Sequence, residues 1–176
     1  MCCFQCEQTV LQDELTGALI GLAKACGNNP KTENTDRVII EGLYTTITDM
    51  NFNDETMQNM ITKVENEKKT VAPGCSLCQS RCGNTDNYDM KKLWNDHEEI
   101  RSLKSEILFG IREMAAYAYR AMVLGYTSEE VNDFFYKALA VIGYEMEPED
   151  LLSVILEMNE KNPICKELLD KANATT

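Results

Sequence analysis

The fold of this chain is decided by residues 100–131, which read IRSLKSEILFGIREMAAYAYRAMVLGYTSEEV. Apolar residues recur there every three or four positions, which predicts an α-helix of about seven turns with one apolar side. Gly125 predicts the end of this helix, and the T-x-x-E pattern of Thr127 with Glu130 predicts the start of the next one. The apolar side of the long helix comprises Ile100, Leu103, Ile107, Ile111, Met114, Ala118 and Ala121.

Helical spacing continues on both sides of this stretch. The T-x-x-Q capping box of Thr9 with Gln12 predicts the start of a first helix. A second helix is predicted over about residues 36–48, and Asn53 is a suitable N-cap for a third. Pro148 predicts the first turn of the last helix, since proline has no N–H to leave unpaired there.

No segment alternates between apolar and polar residues with period two, so no sheet of consequence is expected. We predict an all-α fold of two three-helix bundles joined by a cysteine-bearing loop. Residues 1–69 would form a Cys-x-x-Cys turn and the first bundle, residues 70–95 the cysteine loop, and residues 96–176 the second bundle. Pro163 is expected to kink or restart the last helix.

Composition excludes several classes of partner. The 176 residues carry 17 Lys and Arg against 29 Asp and Glu, a net charge of −12 that repels nucleic-acid phosphates and anionic lipid. The apolar runs fall far short of the ~20 residues that a membrane span requires. The first ten residues, MCCFQCEQTV, lack the basic and apolar regions of a secretory signal. We therefore expect a cytoplasmic protein that binds neither nucleic acid nor membrane.

Five of the eight cysteines form two closely spaced groups, Cys3-x-x-Cys6 and Cys75-x-x-Cys78-x-x-x-Cys82. In a reducing compartment such clusters are more often metal ligands or redox thiols than structural disulfides. Because the chain has a single histidine, a metal would rely mainly on sulfur. Both groups are expected outside the helices, and all five cysteines are candidate ligands.

The spacing leaves the identity of the metal open. Four thiolates suit zinc, and four thiolates also suit an iron–sulfur cluster. Five cysteines for four positions leave one spare, with Cys75 or Cys82 as the expected bystander.

The remaining candidate ligands have simpler interpretations. Cys26 and Cys165 lie among apolar neighbours at helical positions and are expected to be inert core thiols. Cys2 is expected to be a bystander, and His97, beside two glutamates, a solvated residue. The sequence contains no candidate general acid–base pair, glycine-rich phosphate loop or nucleophile elbow.

Several stretches resemble the hybrid cluster proteins, also called hydroxylamine reductases. The opening and the region of the long helix carry most of the resemblance, which covers nearly all of the chain but only the N-terminal helical domain of that family. In the family this domain consists of two three-helix bundles. The similar stretches are residues 1–9, 11–13, 41–48, 51–53, 100–131 and 168–176.

The resemblance implies a cluster bound by N-terminal cysteines. Family members hold a 4Fe–4S cluster, or in some a 2Fe–2S cluster, on four cysteines, of which the first two match Cys3 and Cys6. A second iron–sulfur–oxygen cluster, bound by later domains, is where reduction of hydroxylamine or nitric oxide is placed. No residue of this chain matches the ligands of that second cluster, so catalytic residues stay unassigned.

This sequence departs from the family after the first two cysteines. The family's other two N-terminal cysteines lie in a short loop before the LQD helix, whereas here Thr9 and Val10 lead directly into Leu11. We infer that residues 75–82 supply the missing ligands by folding back over the N-terminus.

Three functions are consistent with these residues. The first is an iron–sulfur electron-transfer protein, an oxidoreductase by resemblance, that works with an electron-donor or electron-acceptor protein. The second is a helical scaffold stapled by zinc or by a static cluster, without redox turnover. The third is a small reductase of nitrogen oxides or hydroxylamine. Self-association as a homodimer is a further expectation, because the family's helical domain packs on domains that have no counterpart in this sequence.

Overall fold

The computed structural model describes residues 3–27, 29–47, 53–73 and 86–175. These residues are helical apart from their connections and contain no strand, which confirms the predicted all-α class. None of the helices within them is long and apolar enough to cross a membrane. The helices are α1 Cys3–Cys26, α2 Glu33–Thr45, α3 Asp54–Val71, α4 Met90–Trp94, α5 Glu98–Val123, α6 Glu129–Ile142 and α7 Pro148–Thr175.

The first three helices pack on one another as an antiparallel series. Gly42 of α2 lies so close to α1 that an added Cβ would be 2.5 Å from a methyl group of Leu19. The start of α2 is capped by Thr32, whose hydroxyl accepts the N–H of Thr35 at 3.2 Å. Asn53 caps α3 as predicted, accepting the N–H three residues on at 2.8 Å.

Of the remaining helices, α5 and α7 are in the most extensive contact. Gly110 brings these two helices together, since a Cβ there would lie 2.2 Å from the sulfur of Met158. Helix α1 also packs on α6, and α2 packs on α5. The helices therefore share one continuous core, and the division of the chain into two three-helix bundles stays a prediction. The largest fully buried side chains of this core include Leu15, Leu19, Ile39, Leu43, Ile107, Leu108, Phe134 and Phe135.

The predicted start of the first helix was wrong. Helix α1 begins at Cys3 and continues through Cys6 and Thr9, so the Cys-x-x-Cys pair lies inside the helix. A capping box requires the chain before its threonine to leave the helix, and here the preceding residues stay helical. The expectation that both cysteine groups lie outside the helices is thus corrected for the first group.

Three other helix boundaries differ from those predicted. Helix α2 spans Glu33–Thr45, about three residues earlier than expected. Helix α6 is capped by Ser128 rather than Thr127, because the Ser128 hydroxyl accepts the N–H three residues on. Helix α7 continues through Pro163. Buried residues on both sides of that proline, Met158 and Cys165, hold the helix against the core and offset the lost hydrogen bond.

Part of the predicted cysteine loop is helical. Helix α3 extends to Val71, and the short helix α4, Met90–Trp94, lies within residues 70–95. Asp89 caps α4 by accepting the N–H of Lys91 at 3.0 Å. The cysteine loop therefore leaves the helical core after Val71, at the end of α3, and returns to it before Met90, at the start of α4.

Candidate metal centre

The structure describes the backbone of two of the five candidate ligands. Cys3 and Cys6 occupy the first two turns of α1. Cys75, Cys78 and Cys82 lie outside the described residues. Within the described ranges no three Cys, His, Asp or Glu side chains are grouped so that they could hold a metal. The convergence of the two cysteine groups therefore stays a prediction.

The cysteine-bearing turns of α1 extend past the end of α2. The side-chain amide of Gln12 donates to the carbonyl of Thr46, the C-cap of α2. Since an α-helix rises about 1.5 Å per residue, Cys6 lies about 9 Å further along α1 and Cys3 about 13 Å further.

The chain that follows the cysteine loop packs along the middle of α1. The backbone N–H of Tyr88 donates to the carbonyl of Gly17 at 3.0 Å. The indole N–H of Trp94 donates to a carboxylate oxygen of Asp13 at 2.9 Å. Residues 86–94 therefore run beside α1 in the direction of its N-terminus.

Gly17 makes this packing possible. A Cβ at residue 17 would lie 2.1 Å from the carbonyl oxygen of Tyr88 and 3.2 Å from its carbonyl carbon, distances that no side-chain adjustment can relieve because both atoms are backbone. A glycine inside a helical pattern is the signal from which this contact could have been suspected. The sequence pattern alone does not tell which segment approaches it.

The chain enters the cysteine loop at the opposite end of α1. Near the end of α3, buried Glu67 accepts hydrogen bonds from the hydroxyl of Thr35 at 2.6 Å and the amide of Asn34 at 2.5 Å, both in the first turn of α2. The first turn of α2 follows the end of α1 after a short connection. Because Cys26 ends α1, the end of α3 lies about 30 Å along that helix from Cys6.

A half-buried cation lies where the end of α2 packs against α1. The guanidinium of Arg112 donates to the hydroxyls of Thr46 at 3.0 Å and Thr16 at 3.1 Å. Burial lowers the pKa of Arg112 to about 10, which leaves it charged at neutral pH. Its positive charge therefore lies level with Gln12, on the side of the molecule that leads to the cysteine turns.

A profile of the Prismane/CO dehydrogenase family matches residues 1–176, the whole chain. The chain belongs to this family. Curated members with similar sequences include the hydroxylamine reductases of Methanococcus vannielii (30% identical, covering 98% of this chain and 39% of that protein) and of Methanocaldococcus jannaschii (30%, 100% and 39%). That of Thermoanaerobacter pseudethanolicus is 33% identical over 94% of this chain and 34% of its own length.

The chain thus spans about two fifths of the length of the Prismane/CO dehydrogenase family members that it matches most fully. The match confirms the family that the sequence resembles and the N-terminal position of the similar region. The name hydroxylamine reductase belongs to those longer proteins.

Cys26 and Cys165 are free, buried thiols, which confirms their prediction as core residues. Burial raises the pKa of each to about 12, and for Cys26 the nearby carboxylates of Glu67 and Asp36 act in the same direction. Both sulfurs therefore stay protonated at neutral pH and are poor metal ligands. His97 is exposed at the N-cap of α5, as expected for a solvated residue.

The Cys165 thiol should make stability fall at alkaline pH. Its folded pKa of about 12 exceeds the ordinary value of 9.0, so above pH 9 the unfolded chain loses a proton that the folded chain keeps. Its contribution is complete below pH 9 and decreases by up to about 1.4 kcal/mol per pH unit toward pH 12. Urea unfolding of the reduced wild type and of Cys165→Ala, repeated between pH 8 and pH 10.5, gives the free energy of unfolding at each pH. The difference in this free energy between the two proteins should become smaller as the pH rises. A difference that stays constant with pH would contradict the raised pKa of Cys165.

Proposed function

We propose that this chain is an iron–sulfur electron-transfer protein whose cluster is bound by Cys3, Cys6 and cysteines of the 75–82 segment. The observation that carries the proposal is the Cys-x-x-Cys pair at the start of α1 in a member of the Prismane/CO dehydrogenase family. A 4Fe–4S cluster is proposed, with 2Fe–2S and zinc as the alternatives for the same thiolates.

The donor chemistry and the local backbone fit such a cluster. Cys3 and Cys6 are three positions apart, and residues at this spacing are neighbours on a helix surface. The first turns of a helix carry backbone N–H groups without intrahelical partners, and the helix dipole favours negative charge there. A thiolate cluster is anionic, so the start of a 24-residue helix stabilises it.

Chain length ranks the remaining ligands. Gly17, which binds Tyr88, lies about 16 Å along α1 from Cys6. Cys82 precedes Tyr88 by six residues, which span at most about 20 Å. Because residues 86–94 run toward the N-terminus of α1 and Asn87 bonds to Glu65 and Lys68 of α3, the chain before Tyr88 has to turn back along α1 for Cys82 to reach Cys6. The end of α3 lies about 30 Å along α1 from Cys6, and Cys75 follows it by only four residues in the sequence. Cys75 is therefore the spare cysteine in this proposal.

In this proposal the residues of the chain set the reduction potential of the cluster and do not make or break bonds in a substrate. When bound, the cluster would accept and release single electrons. The half-buried charge of Arg112 would favour the more negative, reduced form. The partner is then an electron-donor or electron-acceptor protein. Because thiols persist in a reducing compartment, a cytoplasmic location is part of the proposal.

A stapled scaffold is the second candidate, favoured by the positions of the loop ends. The cysteine loop begins at the end of α3 and is followed by Tyr88, which bonds to Gly17 of α1. A metal that joined this loop to Cys3 and Cys6 would therefore connect the end of α3 with the start of α1. Zinc or a redox-inert cluster would serve this purpose equally well.

Metal and sulfide analysis of oxygen-free protein distinguishes these functions. After reconstitution with iron and sulfide, the electron-transfer proposal expects about four iron and four sulfide per chain and a brown colour that dithionite bleaches. A colourless protein with one tightly bound zinc, or a colour that dithionite leaves unchanged, would favour the scaffold. Steady consumption of hydroxylamine by the isolated chain would instead show that it is a reductase by itself.

A further inference from the structure

A cleft of about 390 Å³ lies where α1, the start of α5 and the connection between α6 and α7 meet. Lys24 and Lys104 line it together with the rings of Tyr88 and Tyr144. None of these residues belongs to the proposed metal centre. The cleft is large enough for a ligand of a few non-hydrogen atoms.

Two lysines in this cleft are held by neutral groups. Lys104 is 3% exposed, and its ammonium donates to the backbone carbonyl of Tyr144 at 2.8 Å. The ammonium of Lys24 lies 4.9 Å from the ring centroid of Tyr144 and 5.7 Å from that of Tyr88. Neither lysine forms an ion pair within the described part of the chain.

The carboxylates of the cleft compensate these charges only in part. Asp86 and Glu145 are exposed, and Asp96 is half-buried. Burial is the largest influence on both lysines and lowers the pKa of each, outweighing the opposite effect of these carboxylates. Lys104 is therefore a buried positive charge and Lys24 a half-buried one, whereas Asp86 and Glu145 lie at the solvent, where water screens them.

We propose that this cleft binds one small anion, an inorganic oxyanion or a small carboxylate, against Lys24 and Lys104. An anion there would supply the charge that the exposed carboxylates do not, and would form charge-assisted hydrogen bonds with the ammonium groups. Lys92, at the cleft and close enough to Lys24 to lower its pKa, adds to the attraction. A large polyanion would meet the exposed carboxylates first and is expected to be excluded.

Gly143 leaves the space in which Lys24 lies. A Cβ at residue 143 would be 2.5 Å from Cε of Lys24 and 3.0 Å from its ammonium nitrogen, while the other close contact, 2.5 Å, is with Ile20. The backbone at Gly143 has an ordinary φ of −82°, so alanine introduces no backbone strain there. Gly143→Ala should thus displace the Lys24 ammonium while keeping its charge.

Calorimetric titration of the full chain with inorganic phosphate, at constant ionic strength in a zwitterionic buffer, tests this site. Wild type should bind one phosphate saturably. Lys24→Met should weaken that binding about tenfold or more, because one charge-assisted hydrogen bond is lost. Gly143→Ala should weaken it as well. Lys137→Met, which removes an exposed lysine paired with Glu157 on α7, is the matched control and should bind as wild type does.

Circular dichroism of each variant verifies that the helices are intact. The proposal is overturned if wild type shows no saturable binding, if folded Lys24→Met binds as tightly as wild type, or if Lys137→Met loses as much affinity. Tighter binding of a long polyphosphate than of phosphate would also overturn it. Since the titration needs no iron, its result is independent of the metal centre.

Discussion

Cys6→Ser should lose nearly all the iron and sulfide that the wild type gains on reconstitution. Serine keeps the size of the side chain but replaces the soft thiolate with a hydroxyl that stays protonated at neutral pH. With three thiolates left, the cluster should fall from about four iron per chain to less than one. Iron and acid-labile sulfide analysis, together with the visible absorption of oxygen-free samples, measures the loss.

The chain offers a matched control in Cys165→Ala, which removes a buried thiol that lies on α7 and should keep the full cluster content. Within the loop, Cys82→Ser should behave like Cys6→Ser, whereas Cys75→Ser should keep most of its iron. Full retention of iron and sulfide in Cys6→Ser would refute the proposed centre. Retention in Cys82→Ser with loss in Cys75→Ser would instead refute the ranking by chain length.

Gly17→Ala should lower the free energy of unfolding by about 2–3 kcal/mol, the upper part of the usual range for overpacking. The added methyl group would lie 2.1 Å from the carbonyl oxygen of Tyr88, so the segment that carries this residue must move away from α1. That movement also breaks the hydrogen bond between Tyr88 and Gly17. Urea unfolding followed by circular dichroism measures the change.

Trp94, the only tryptophan, reports on the same movement. Its indole bonds to Asp13 of α1, so displacement of residues 86–94 should expose it and shift its emission to longer wavelength. Gly27→Ala is the control, because a Cβ there would come no closer than 3.3 Å to a carbonyl of Lys24 and should change stability by less than about 1 kcal/mol. Unchanged stability and emission in Gly17→Ala would show that the segment does not depend on this contact.

Much of the fold could be predicted because each helix carries its own apolar periodicity. On α5 the expected positions Ile107, Ile111, Met114, Ala118 and Ala121 are all buried. The other two, Ile100 and Leu103, are half-buried against the same core. The cap at Asn53 and the start at Pro148 were predicted for a similar reason, since both depend on a few adjacent residues.

Predictions failed where a local signal was overruled by its surroundings. Thr9 does not cap a helix, because the residues before it are themselves helical. Pro163 did not make α7 restart, because packing on both sides outweighs a single lost hydrogen bond, whereas a kink there stays a prediction. Arg112, and the cleft around Lys24 and Lys104, were missed because their partners are distant in the sequence.

The sequence by itself determined the helical class, the resemblance to the hybrid cluster proteins, the inert core thiols and the choice of cysteine as the candidate ligand. These properties depend on residue type and on spacings of a few positions. Only the tertiary structure decided that Gly17 receives the backbone of Tyr88, that Glu67 joins α3 to the start of α2, and that Lys24 and Lys104 share a cleft. The physical reason is that such contacts join residues tens of positions apart, and only the packing of complete helices brings them together.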